Sequence, residues 1–359
     1  SRGTREQPGQ HGACICASGA SRQRRVSGRC HASAGIRTSQ HAIVGYAVLA
    51  SELKVENMDI QQVAKEIART HSQLLAGETS TVEVLVKEIP ADPTPIFAAA
   101  LLGARLLGFV PHDAQCIANA WQSQTSRHEV FDATNWPCDP QDFALSAANP
   151  ATAFAPCPQS LGLYAVLPDA DWIARMVELQ VPTVQLRFKS DDHTAIDQQV
   201  KAAVKAVEGS NTLLFINDHW RHAIDAGAYG VHLGQEDMVD APLDAIRMAG
   251  LRLGLSSHGY AEMLKAHAAQ PSYLALGAVF PTTLKRMATA PQGLGRLGMY
   301  ARLMQGQSLV AIGGIDLERL PAVLQTGVGS VAFVRAITAA VNVPEAVEKL
   351  RICMKANKR

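Results

Sequence analysis

The chain has 359 residues, 47% hydrophobic and 18% charged, with a formal net charge of +1. This is length for one large domain or two ordinary ones, with enough apolar material for a packed core. The near-neutral charge excludes a whole-protein electrostatic grip on nucleic acid or an anionic membrane.

The richest apolar stretch, Ile96–Leu107, is too short to span a bilayer and carries Arg105. Seven cysteines, none between Pro158 and Ile352, do not make a disulfide framework. These features predict a soluble, cytoplasmic protein.

Residues 1–45 read as a basic, disordered or non-native tail. The first forty hold seven arginines and one acid, Glu6, with no apolar periodicity, so they cannot bury enough surface to offset chain entropy. His11, Cys14, Cys16, Cys30 and His31 are soft-metal ligand types, but their spacing is not that of a structural zinc site. Residues 46–134 read as a small mixed α/β region. Ile60–His71 has helical spacing, TVEVLVKEI (81–89) has the alternation of a strand, and Ile96–Gly108 and Asp113–Gln124 read as two helices. Residues 135–158, with five prolines and many alanines, read as a linker that shares few contacts with its neighbours.

Beyond Ser160 short apolar runs alternate with amphipathic stretches. The runs are LGLYAVL (161–167), TVQLRF (183–188), LLFIN (213–217), GVHLG (230–234), RLGLSS (252–257), YLALG (273–277), LVAIGG (309–314) and SVAFVR (330–335). Near-continuous apolar strands separated by helices indicate a parallel sheet covered by helices. Eight repeats predict a compact (β/α)8 TIM barrel over 159–352, with an open doubly wound sheet as the structural alternative.

In such a barrel chemistry sits at the carboxyl ends of the strands, and the polar residues collect there. Gln185, Arg187 and Lys189 alternate onto one face, a site for a polyanion. Asp218 and Asp237 follow neighbouring strands; two close carboxylates beside cations suit a Mg2+ shared with phosphate oxygens. Gly313-Gly314 and Arg335 mark a second anion site after strands seven and eight. No Ser-His-acid set, reactive Cys or Schiff-base Lys stands out, so the toolkit is electrostatic and fits departure of a phosphate-type leaving group.

The segments QLRFK (185–189), FINDHW…GAYGVHLGQED (215–237), LGLSSHG (254–259), LALGAVFPTTLK (274–285), APQGL (290–294) and AIGGID (311–316) resemble the thiamine phosphate synthase family, from about Leu161 to Ala340. The resemblance implies a (β/α)8 transferase of thiamine diphosphate biosynthesis. Such an enzyme joins hydroxymethylpyrimidine diphosphate to a (carboxy)thiazole phosphate, giving thiamine phosphate and pyrophosphate. Carried over by position, Gln185, Leu186, Arg187, Phe188, Lys189 and Asn217 hold the pyrimidine diphosphate, completed by Ser256 and Lys285. Asp218 and Asp237 bind Mg2+. Thr282, Thr283, Leu284, Gly314, Val334 and Arg335 receive the thiazole phosphate. Arg187, Lys189 and Lys285 stabilise the departing pyrophosphate. Two positions depart from the family pattern: Leu284 replaces a threonine, and Arg335 stands where many members have serine.

Two other readings compete. A thiazole tautomerase would use a histidine near the fifth strand, for which His258 is the counterpart, and a non-catalytic regulator would bind thiazole phosphate without turnover. Residues 91–125 also resemble the carboxyl-terminal part of a ribokinase-type pyrimidine kinase, without its glycine-rich anion hole. The partners implied are small molecules, with no nucleic acid and no membrane.

Overall fold

A computed structural model describes residues 59–77, 79–147, 149–282 and 289–357. The expectations for the basic tail and its Cys/His cluster, and those for Thr283, Leu284 and Lys285, lie outside these residues. All the described residues belong to one compact unit, Leu49–Arg359.

Eight parallel strands close into a barrel in sequence order: β1 (Leu163–Leu167), β2 (Thr183–Leu186), β3 (Leu213–Asn217), β4 (Gly230–Leu233), β5 (Arg252–Ser257), β6 (Tyr273–Leu276), β7 (Leu309–Ile312) and β8 (Ser330–Phe333). Pairing of Leu163 with Val331 begins the β1–β8 seam. The alternation of each strand separates two apolar layers. Leu163, Val184, Leu186, Val231, Leu253, Leu255 and Leu274 point outward against the helices. Tyr164, Phe215, Tyr273, Val310 and Ala332 fill the interior. Most strands stop one or two residues before the apolar runs do. In β2 the ladder to β3 ends at Leu186, so Arg187 and Lys189 leave the sheet as part of the mouth.

Helices cap themselves where short acceptors precede them: Asp169 receives Trp172 N at 2.9 Å and Asp192 receives Thr194 N at 2.8 Å. No helix among the described residues is long and apolar enough to cross a membrane.

Before the barrel the described chain is helical, which corrects the expectation of a strand at 81–89. Val82–Leu85 is a single α-turn and Val86–Glu88 a 3-10 turn. A closed barrel offers no free edge, so a lone alternating segment satisfies its backbone by turning on itself. Leu85 is buried while Val84 and Val86 face solvent.

The segment 135–158 is irregular, as expected, but the expectation of few contacts is also corrected. Trp136, Phe143 and Phe154 are buried. Trp136 Nε1 donates to Tyr260 Oη at 3.0 Å, and Phe154 N donates to Gln270 O at 3.0 Å. Aromatic side chains inside a proline-rich stretch outweigh its loop composition.

The helices Pro95–Leu106 and Pro111–His128 reach the barrel at two of its outer helices, Tyr260–Ala268 and Gly293–Leu303. Asp113 Oδ1 accepts from Ala261 N at 2.8 Å, satisfying a free amide in the first turn of the helix after β5. Arg296, 3% exposed, donates to Leu74 O at 2.9 Å and Leu107 O at 2.8 Å, and lies over the Phe109 ring at 3.7 Å. A buried guanidinium fully engaged with carbonyls and an aromatic face is well compensated.

Candidate active site

The carboxyl ends of β2, β3 and β4 bring Lys189, Asp218 and Asp237 together, with Arg187 two residues before Lys189 at the same strand end. Arg187 follows β2 with its backbone N donating to Leu167 O at 2.7 Å, half-buried and with no acid paired to it among the described residues. Lys189 Nζ contacts Asp218 Oδ2 at 2.5 Å. Asp218 holds a left-handed backbone, φ 63°, rare for a residue with a Cβ, and this conformation turns the chain sharply out of β3. Asp237 Oδ2 accepts from Gly234 N at 3.2 Å. Burial, and then the charge of Asp218 beside it, push the Asp237 carboxyl above its usual range. Two carboxylates that repel one another call for a cation between them.

Among the described residues no three His, Cys, Asp or Glu side chains form a metal cage. That donor set does not suit a protein-enclosed metal. It does suit a hard cation held by one or two carboxylates with the balance from phosphate oxygens and water, as Mg2+ prefers.

Deeper in the barrel, Gln185 and Asn217 are buried and Ser256 is half-buried. Gln185 and Ser256 connect through residues that the strand-end reading passed over. Gln185 Nε2 donates to Tyr164 Oη at 3.1 Å, and Tyr164 Oη meets Tyr273 Oη at 2.8 Å. Tyr273 Oη meets His232 Nδ1 at 2.8 Å, and His232 Nε2 meets Ser256 Oγ at 2.9 Å. Burial holds both phenols well above their usual pKa and therefore neutral. The signal for His232 lay in GVHLG: the polar residue of an apolar strand falls on the inward register between outward Val231 and Leu233.

On the far side of the mouth, Gly314 has φ 64°, and a Cβ there would lie 2.6 Å from Pro281 O. Only glycine lets the loop after β7 press onto the loop after β6 that leads to Thr282. Arg319, also missed from the sequence, holds Gly314 O at 2.7 Å and lies over the Phe280 ring at 4.9 Å. Val334 and Arg335 follow β8, with Arg335 exposed. Leu186 is turned outward into the barrel–helix layer, and Phe188 packs partly against the same layer. Neither side chain therefore joins Gln185 inside the barrel. His258 sits at the end of β5 with Nδ1 2.6 Å from Glu262 Oε2.

Comparisons with known proteins fall on this barrel. The family described as thiamine monophosphate synthase matches residues 163–337. The thiamine-phosphate synthase of Neisseria meningitidis serogroup A is 57% identical over 196 residues, covering 55% of this chain and 95% of that protein. That of Salmonella typhimurium is 51% identical over 197 residues, covering 55% and 93%. The solved structure of thiamine phosphate pyrophosphorylase from Pyrococcus furiosus aligns with TM-score 0.50 at 27% identity, covering 55% of this chain and 98% of the other. These matches lend no support to the kinase likeness of 91–125, to a tautomerase, or to a non-catalytic regulator.

Proposed function

From the premise that the chain belongs to the thiamine-phosphate synthase family and is a transferase, we propose that its barrel, 159–352, joins a hydroxymethylpyrimidine diphosphate to a (carboxy)thiazole phosphate and releases pyrophosphate, together with CO2 where the thiazole carries the carboxyl. The observation that carries this reading is the grouping of Lys189, Asp218 and Asp237 at the rim that Arg187 shares, beside the buried polar Gln185, Asn217 and His232.

In this reading Gln185, Asn217 and Ser256 orient the pyrimidine. Arg187 and Lys189 grip the diphosphate and stabilise the charge that grows on it as the methylene–oxygen bond breaks, with Lys285 as a third cation. Preorganised cations at a departing anion act in the transition state more than in the ground state, which is what raises the rate. The segments at Thr282–Lys285, Gly314 and Val334–Arg335 receive the thiazole phosphate. The thiazole nitrogen attacks with its lone pair and carries no proton, so this step needs no general base, and none is assigned. Asp218 and Asp237 would hold Mg2+, which when bound supplies further neutralisation of the diphosphate oxygens. The setting proposed is the cytoplasm, with small-molecule partners and neither nucleic acid nor membrane.

Pyrophosphate release by the full chain tests this. It is expected only with both substrates and Mg2+ present; release with either substrate alone, or none with both, would overturn the assignment.

A further inference from the structure

Five side chains from five strands form the hydrogen-bonded line inside the barrel, and its direction is set at one end. Gln185 Nε2 carries hydrogens and accepts none, so it donates to Tyr164 Oη. Tyr164 has one hydrogen, and Tyr273 Oη is its other partner among the described residues. Tyr273 in turn gives its hydrogen to His232 Nδ1. With Nδ1 accepting, the neutral imidazole keeps its proton on Nε2 and donates to Ser256 Oγ. The hydrogen of Ser256 is thereby turned away from His232. Reversing the line would leave the hydrogen of Tyr164 without an acceptor in full burial, which folded proteins avoid.

The interior is shaped around this line. A Cβ on Gly254 would lie 2.2 Å from the ring of Tyr273, so glycine at that position is what admits the second tyrosine. Phe215 meets the Tyr273 ring edge-on at 5.0 Å and stacks on Tyr164 at 6.0 Å, holding both phenols in place.

We propose that Tyr164, Tyr273 and His232 are positioning residues for the pyrimidine pocket, a one-directional relay that presents Gln185 Oε1 as an acceptor and the Ser256 hydroxyl as a donor. This rests on the functional reading above. An aminopyrimidine offers the complement, an exocyclic amino donor and a ring-nitrogen acceptor. The relay selects that pattern over an isostere with the two reversed, because a mismatched ring would leave both groups unpaired.

The test uses the full chain carrying Tyr273→Phe, Tyr164→Phe and Ser256→Ala, with kcat, both KM values and Tm measured for each. Tyr273→Phe is expected to raise KM for the pyrimidine diphosphate about five- to tenfold and leave that for thiazole phosphate within about twofold. Tyr164→Phe is expected to act in the same direction by less, since Tyr273 can still donate to His232. In the Ser256→Ala background Tyr273→Phe is expected to add less than about twofold, because its effect passes through Ser256. If Ser256→Ala leaves the pyrimidine constant unchanged, the pocket reading fails and the relay with it. If Ser256→Ala is damaging but Tyr273→Phe is silent, additive with it, or equally harmful to both substrates, the relay alone is overturned. Should Tm show that Tyr273→Phe is unfolded, His232→Phe takes its place in the cycle with Ser256→Ala, because it too cuts the line at the donor to Ser256, and the same outcomes decide it.

Discussion

Asp113→Asn isolates one of the contacts that join the front helices to the barrel. Asp113 is 4% exposed, and its carboxyl is raised from 3.8 to about 6. Burial dominates that rise; the Ala261 N–H and Arg296 oppose it and Glu262 adds to it. A folded-state value above the unfolded one means stability that is fully present below pH 4 and lost as pH rises through about 6. The rise corresponds to at most ~3 kcal/mol. Asparagine keeps the acceptor for Ala261 N and does not ionise. Stability of the variant relative to the natural chain is therefore expected to be similar near pH 4 and to improve upward, levelling just above pH 6. For a chain of this size ~3 kcal/mol is roughly 5 °C in Tm. Urea and thermal unfolding of both proteins from pH 4 to 8, followed by circular dichroism, measures the difference and cancels every group they share. A difference that is flat with pH, or that turns against the variant at pH 7, would refute the reasoning. It would mean that the helix terminus and Arg296 hold the ionised carboxylate without penalty.

Asp218→Ala or Asp237→Ala is expected to remove most turnover with little change in circular dichroism, since both lie at the rim; near-normal rates at limiting Mg2+ would exclude them as its ligands. A chain beginning at Pro158 is expected to give low soluble yield and a depressed Tm, because Tyr260, 1% exposed, would lose Trp136 and Phe143 as cover, and Arg296, 3% exposed, would lose Leu74 O, Leu107 O and the Phe109 ring. Burial of aromatic side chains this size contributes about 1.5–3 kcal/mol each, so full stability in that truncation would show the front helices to be dispensable. Leu284→Thr is expected to lower KM for thiazole phosphate by up to tenfold and spare that of the pyrimidine diphosphate, as steady-state kinetics with each substrate varied would show.

The barrel was legible because its signal is local and repeated. Each strand is an apolar run flanked by an amphipathic helix, and parallel strands buried on both faces have to look that way in sequence. The rim was legible for a related reason: polar residues that end an apolar run have nowhere to go but the mouth, which is how Arg187, Lys189, Asp218 and Asp237 could be named in advance. The likeness of QLRFK and GVHLGQED to a known family then supplied chemistry that periodicity alone does not.

The tertiary structure decided what depends on partners far along the chain. Val82, Val84 and Val86 alternate like a strand, yet a closed sheet left them no edge to join, and they turned into helix. The proline-rich segment after Asn135 has the composition of a free linker, but Trp136, Phe143 and Phe154 found apolar cover on the barrel's outer helices. Asp113 and Arg296 reveal nothing singly; one becomes a cap for Ala261 and the other a clamp on Leu74 and Leu107 only when the front helices are in place. Tyr164 and Tyr273 read as ordinary core aromatics, since apolar patterning registers a ring and not its hydroxyl. Closing the barrel brings the hydroxyls of β1 and β6 within 2.8 Å of each other, and in a buried interior a hydroxyl must find a partner. Pattern along the chain determines which faces are buried; which polar atoms meet inside is settled by the three-dimensional closure of the strands.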